Sequence, residues 1–168
     1  MSDRGEYTGS VLRIDLTEGT IRREPLDVGL ARTYVGGRGF TSRLQYDLIP
    51  VKVDPLGPEN VLLLAPGALT GTSAPSAARV VVAGRSPLTG ILGDANAGGY
   101  FGAILKRAGY SLLIVTGRSP HPVYLRIDDD RAELRDARHL WGMEVHAATD
   151  AIVEAEGQGF RVAAIGPA

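Results

Sequence analysis

Cysteine is absent from all 168 residues of the chain. No thiolate is available for an iron–sulfur cluster, and no disulfide can form. Lysine is nearly absent too, with only Lys52 and Lys106 against 16 arginines. Arginine suits bidentate phosphate contacts, although a skewed genomic composition produces the same bias. Charge of one sign is not in excess. The 18 basic and 19 acidic residues leave a net charge of −1, with no overall pull toward nucleic acid or a membrane surface. Apolar runs are short, none approaching the roughly 18 residues of a membrane-spanning helix. The start, Met1 to Glu6, has no signal-peptide core. Together these absences lead us to expect a cytoplasmic protein.

Several site motifs are missing as well. No Gly-x-x-x-x-Gly-Lys-Ser/Thr run is present, and Gly36-Gly37-Arg38-Gly39 lacks the spacing of a dinucleotide fingerprint, so it reads as a tight turn before a helix. His121, His139 and His146 are not spaced as a metal triad and read as surface or capping residues. Ser73 and Ser76 have no nearby histidine and no Gly-x-Ser-x-Gly elbow. Asp128, Asp129, Asp130 and Glu133 gather at a hairpin turn and read as a solvated tip. Trp141 reads as a packing residue in the core or at its edge. No catalytic acid, base or nucleophile can be named.

What the chain does have is concentrated in residues 86–109. A strand-like start runs into a small, bare loop, Asp94-Ala95-Asn96-Ala97-Gly98-Gly99. A short amphipathic helix follows, with Phe101, Ile104, Leu105 and Ala108 on one face and Gly109 as its stop. Consecutive glycines at a helix entrance let backbone N–H groups approach an anion with no Cβ in the way. Asn96 offers a carbonyl oxygen, from side chain or backbone, to a hard cation bridging phosphates. Upstream, residues 77–84 read as an apolar strand interrupted by Arg79. A guanidinium buried there must pair with something, a phosphate or a carboxylate; otherwise Arg79 lies on an exposed side of the strand.

The length is that of one domain with a real core. An internal echo organises it: Leu12-Arg13-Ile14-Asp15 recurs as Leu125-Arg126-Ile127-Asp128. Each copy opens an apparent hairpin, over 11–24 and 123–135, and leads into a helical pattern, near 28–35 and 142–154. Each half then reaches an apolar strand ending in Pro and Gly, Val61 to Gly67 and Val162 to Pro167. Arg38 to Tyr46 reads as a further helix and Ser111 to Thr116 as a buried strand. The expected fold class is α+β, with two similar hairpin/helix/strand halves forming paired, mainly antiparallel sheets, a few short helices and a pseudo-twofold saddle.

The wording of the longer motifs is distinctive. Leu64 to Pro75 reads Leu-Ala-Pro-Gly-Ala-Leu-Thr-Gly-Thr-Ser-Ala-Pro, followed by Arg79, Arg85-Ser86-Pro87-Leu88-Thr89-Gly90, Ala95 to Gly102, and Leu105 to Tyr110. With Val53 to Asn60 and the closing Ile165-Gly166-Pro167-Ala168, this closely resembles the N-terminal domain of the aldehyde ferredoxin oxidoreductase family, the tungsten or molybdenum bis-pterin enzymes. The resemblance spans nearly the whole chain. It implies a cofactor-seating domain of an enzyme that oxidises aldehydes to carboxylic acids and passes electrons through a [4Fe-4S] cluster to ferredoxin. The alternative is a non-catalytic, standalone module that binds pterin or docks on a partner.

The resemblance further implies cofactor contacts at Arg79, Asn96, Ala97 and Gly98, with Asn96 also bound to the Mg²⁺ that links the two pterin phosphates. The cluster's cysteines would come from beyond this domain, as would a second pterin segment, just past Ala168. The implied partners are the remaining domains or subunit of the enzyme, ferredoxin and possible further copies of the chain, with no nucleic acid and no membrane. One departure from the family stands beside the loop. Asp94 would repel phosphate unless it points away or reaches the cation.

Overall fold

The computed structural model describes residues 9–167. Met1 to Glu6 and Ala168, both used above, lie outside them. Strand β1 (Ser10–Asp15) turns into β2 (Thr20–Pro25) through Gly19 at φ +63°. Asp15 fixes this turn, its Oδ1 accepting the backbone N–H groups of Thr17 (2.9 Å) and Glu18 (3.1 Å). Asp27 caps α1 (Val28–Tyr34) by accepting the Leu30 N–H, and α2 (Arg38–Leu48) follows after the glycine-rich turn. Then come β3 (Leu62–Pro66), β4 (Val80–Arg85), β5 (Leu92–Ala97), α3 (Phe101–Arg107) and β6 (Tyr110–Thr116). The second hairpin, β7 (Val123–Asp128) with β8 (Arg131–Asp136), leads through a 3₁₀ turn at Arg138–Leu140 to α4 (Val145–Glu156).

Six strands form one sheet in the order β2-β1-β6-β3-β4-β5, and β7-β8 stands as a separate pair. Every ladder is antiparallel except β1 with β6. Alternation along the strands gives the six-stranded sheet two covered faces. Val11, Leu63, Ala65, Leu112 and Ile114 pack against Leu26, Ala31 and Phe40 on the side of α1 and α2. On the other side Leu12, Ile14 and Leu113 meet Leu105 of α3 and the half-buried Leu125, Ile127, Ala132 and Leu134 of the second hairpin. Strand β6 is covered on both faces from Tyr110 to Ile114, which is why it reads as a continuous apolar run.

The α+β class and the predominance of antiparallel ladders match the sequence reading, and both hairpins, all four helices and β6 form close to their expected bounds. Two elements and one side chain differ. The expected bare loop is half strand, because β5 runs through Asn96 to Ala97, paired along its whole length with β4. The apolar Val162 to Ile165 forms no strand. An extended segment needs a partner ladder, none of the described strands lies beside it, and Ile165 is 81% exposed. Trp141 is also exposed rather than packed, since α4 begins only at Val145 and the preceding 3₁₀ turn buries Leu140 in its place. No helix among the described residues is long and apolar enough to cross a membrane.

Candidate functional site

The β4–β5 ladder brings the sequence-selected residues together. Its register pairs Ala83 with Asp94, Val82 with Ala95, Val81 with Asn96 and Val80 with Ala97. Arg79 directly precedes Val80 and Gly98 directly follows Ala97, the pair that ends this ladder. Two stretches of chain separated by a loop and a turn thus deliver Arg79, Asn96, Ala97 and Gly98 to one corner of the sheet. Strand β5 is the outermost strand, so alternate backbone N–H and C=O groups face away from β4.

Of the alternatives for Arg79, the exposed one holds. It lies just before β4, and its side chain is exposed. The desolvation reason for a partner therefore falls away, and its position carries the case instead. The Arg79 main chain is held firmly. Its carbonyl accepts the hydroxyl of buried Thr70 at 2.8 Å and the Gly67 N–H at 3.4 Å. Gly102 of α3 presses on the same place, where a Cβ would meet Thr70 and Val80 at 3.2 Å and the Arg79 carbonyl at 3.4 Å. A fixed backbone with a free guanidinium is what a binding arginine needs. No carboxylate among the described residues forms a salt bridge with it.

The stretch from Ala95 to Tyr100 is exposed, and a Cβ built on Gly98 or Gly99 would meet nothing within 4 Å. Gly99 sits at φ +90°, where side chains other than glycine are strained. The corner is therefore an open ledge. Recessed spaces occur elsewhere, beside Tyr34 and Arg43 and beside Arg13 and Thr116.

Asp94 does not confront the ledge as a bare charge. Arg38, at the start of α2, donates Nε–H (3.0 Å) and Nη2–H (2.6 Å) to its Oδ2. Sequence reading passed over Arg38 because its glycine-rich setting reads as turn chemistry. Gly37 does make that turn, at φ +51°, donating to the Pro66 carbonyl at 3.2 Å. A second cation missed in the sequence is Lys106, whose ammonium donates to the Ala68 carbonyl at 2.9 Å. Burial lowers its pKa from the usual lysine value.

The remaining candidates hold no site. The three histidines are exposed and lie on different elements, and Asp128, Asp129, Asp130 and Glu133 form an exposed hairpin tip. No group of three His, Asp or Glu among the described residues is placed to hold a metal.

Known proteins share this chain's sequence and fold. The family described as aldehyde ferredoxin oxidoreductase, N-terminal domain, matches residues 11–168. The tungsten-containing aldehyde ferredoxin oxidoreductase of Pyrococcus abyssi is 46% identical over 163 residues, 96% of this chain and 27% of that protein. The aliphatic sulfonate oxidoreductase, WOR-like subunit, of Pyrococcus furiosus is 36% identical over 140 residues, 82% of this chain and 22% of that protein. Among solved structures, the active site complex BamBC of benzoyl coenzyme A reductase, in complex with 1,5-dienoyl-CoA, matches with a TM-score of 0.86 and 39% identity. That match covers 88% of this chain and 22% of the other. The chain spans about a quarter of the length of the curated aldehyde oxidoreductases it matches. It belongs to the aldehyde ferredoxin oxidoreductase family, whose N-terminal domain it represents.

Proposed function

We propose that the ledge formed by Arg79, Asn96, Ala97 and Gly98 seats the phosphates of a tungsten- or molybdenum-bis-pterin cofactor. The whole enzyme would convert an aldehyde and water to a carboxylic acid, releasing two electrons to ferredoxin by way of a [4Fe-4S] cluster. The observation that carries this reading is the ladder that ends at Val80 and Ala97, which leaves Arg79 and Gly98 as the next residues on its two strands. It joins an exposed guanidinium on a fixed backbone to a glycine with open space above it.

The residues fit such a group. Arg79 supplies charge and a bidentate fork. Gly98 leaves room for a phosphate to approach the main chain, and the outer edge of β5 supplies backbone donors and acceptors. The nearest carboxylate, Asp94, is neutralised by Arg38. A bridging Mg²⁺ would draw its ligands from the Asn96 carbonyl, phosphate oxygens and water, since no acidic cluster is present among the described residues. When bound, the metal–pterin group supplies the two-electron redox chemistry. This chain's share is to hold, orient and neutralise. With no cysteine in the sequence, thiolate ligands of the cluster would come from outside these 168 residues.

Set against a standalone binding module, the enzyme reading is favoured by the apolar surface at the other end of the β4–β5 hairpin, beyond the Arg85–Leu92 pair. Leu88, Ile91 and Leu92 are 92%, 68% and 45% exposed, which suits a face covered by further protein better than a polar rim would. The test is to make Arg79→Ala and Gly98→Val in the complete enzyme and measure tungsten, molybdenum and released pterin per chain. Both variants should lose most of their cofactor with the apoprotein melting temperature unchanged. Normal loading in both would overturn the assignment.

A further inference from the structure

We propose that Arg38 is a further phosphate-contacting residue of the ledge, with Asp94 as the residue that positions it. This inference rests on the cofactor seat just proposed and adds to it a second cationic contact on a different element.

Three observations converge. The first is placement. Asp94 and Asn96 are two residues apart on β5 and therefore project to the same side, with centres about 7 Å apart along the strand. That side is the one occupied by the start of α2. Arg38 reaches Asp94 there, and a Cβ on Gly37 would touch the Val81 side chain at 3.6 Å, Val81 being the cross-strand partner of Asn96. The guanidinium thus shares a side of the sheet with Asn96, and the loop that carries Gly98 follows directly.

The second observation is asymmetry in the pair. The Asp94 side chain is 13% exposed and that of Arg38 is 66% exposed. Both donated N–H groups go to the single oxygen Oδ2. A guanidinium has five N–H donors in a fixed fork, so three remain, on a group that Asp94 holds from one side and leaves open on the other. An ion pair that only stapled α2 to β5 would gain little at such exposure.

The third observation is what fixes the start of α2. Val35, a β-branched residue, sits at φ +68°, ψ −48°, with the Gly36 N–H donating back to the Tyr34 carbonyl at 2.7 Å. This is a γ-turn of a strained kind. Gly39 then has no room for a side chain, since a Cβ would lie 2.1 Å from the Tyr34 carbonyl oxygen. The fold sustains this unfavourable backbone immediately before Arg38, and the effect is to set where the arginine leaves α2.

The test uses the complete enzyme carrying Arg38→Met, Arg38→Lys or Arg79→Ala. Tungsten and pterin per chain, tungsten release during dialysis at stepped ionic strength, and apoprotein melting are measured on each. Arg38→Met should release tungsten about tenfold faster than the parent, with a shallower dependence on salt because one charged contact is gone. Arg38→Lys should recover part of the retention, as it keeps the charge and loses the fork. Melting of the apoproteins should agree within about 1 °C. Parent-like release and salt dependence in Arg38→Met, with loss in Arg79→Ala, would overturn this inference and leave the seat standing. Parent-like behaviour in both variants would overturn the seat itself. A loss in Arg38→Met that tracks an equal fall in apoprotein melting, with an unaltered salt dependence, would show a structural tie and also overturn the inference.

Discussion

Gly39 and Gly98 have the same composition and opposite meanings. Gly39 is packed so closely that a single methyl group would collide with the Tyr34 carbonyl, whereas Gly98 faces open space. A backbone atom cannot swing aside as a flexible side-chain end can, so Gly39→Ala must displace the start of α2. That should lower stability by about 2–4 kcal/mol, in the range of overpacked or strained sites. Gly98→Ala should leave melting within about 1 °C, because nothing within 4 Å resists the added methyl. Thermal melting of the two variants side by side checks both expectations. If Gly98→Ala melted as low as Gly39→Ala, the ledge would not be open. Gly39 is thus required by packing, whereas nothing in the packing requires Gly98.

At the scale of elements, α4 is fastened to the second hairpin through one carboxylate. Glu156 accepts the Tyr124 hydroxyl at 2.6 Å, Arg126 Nε–H at 2.7 Å and Arg135 Nη1–H at 2.5 Å, and its side chain is only 4% exposed. The arginines that cover it lie at the surface of the hairpin, so the cluster is covered but shallow. The Tyr124 hydrogen bond, followed by those from Arg126 and Arg135, holds the Glu156 pKa below the usual glutamate value against the opposing effect of burial. Nearby, Arg138 pulls Asp136 down to about 2. Both carboxylates are depressed in the folded state. Their stabilisation is therefore complete above the ordinary carboxylate range and is lost as pH falls through the lowered values. Glu156→Gln should cost about 1–3 kcal/mol at neutral pH, since the arginines lose a charged acceptor. Its disadvantage should shrink as pH drops from about 5 toward 2, where the parent's own carboxylate becomes protonated. Melting curves for both proteins across that range decide it. A parallel acid profile would remove Glu156 from the role.

The hairpins were legible in the sequence because their signals are local, with alternating apolar residues around Glu18-Gly19 and Asp129-Asp130. The helix α3 was legible from its apolar face and the stop at Gly109, which sits at φ +89°. Strand β5 was not, because Gly93, Ala95, Asn96 and Ala97 have little strand preference of their own, and pairing with the valines of β4 holds them extended. For the same reason in reverse, Val162 to Ile165 carries strand-forming residues but has no partner among the described residues. At the site, the glycines and Asn96 were readable as a bare loop open to an anion, whereas the choice between a paired and an exposed Arg79 and the Arg38–Asp94 contact were not. The first depends on where β4 begins, and the second joins residues 56 positions apart.

On the scale of the whole molecule, the polar ledge lies at the outermost strand of a six-stranded sheet, with exposed Leu88, Ile91 and Leu92 leading into that strand. An outer strand with unpaired backbone groups and adjacent apolar side chains is a template for association with other protein. The matched aldehyde oxidoreductases are nearly four times as long as the stretch they share with this chain, so they have ample polypeptide to cover such a face. This leads to a paired expectation. Purified alone, the 168-residue chain should self-associate, and Leu88→Lys with Ile91→Lys should return it to a monomer with little change in melting, because both side chains already stand in solvent. In the complete enzyme the same two lysines should instead lower melting by at least several degrees, since each would bury an unpaired ammonium against the covering protein. Sedimentation of the isolated chain and thermal melting of the complete enzyme supply the two readings. Self-association that persists with the lysines would place the contact elsewhere, and a complete enzyme indifferent to them would show that this face stays bare. Opposite responses in the two proteins would identify the turn end of the β4–β5 hairpin, remote from the ledge, as a seam along which this domain meets the rest of its enzyme.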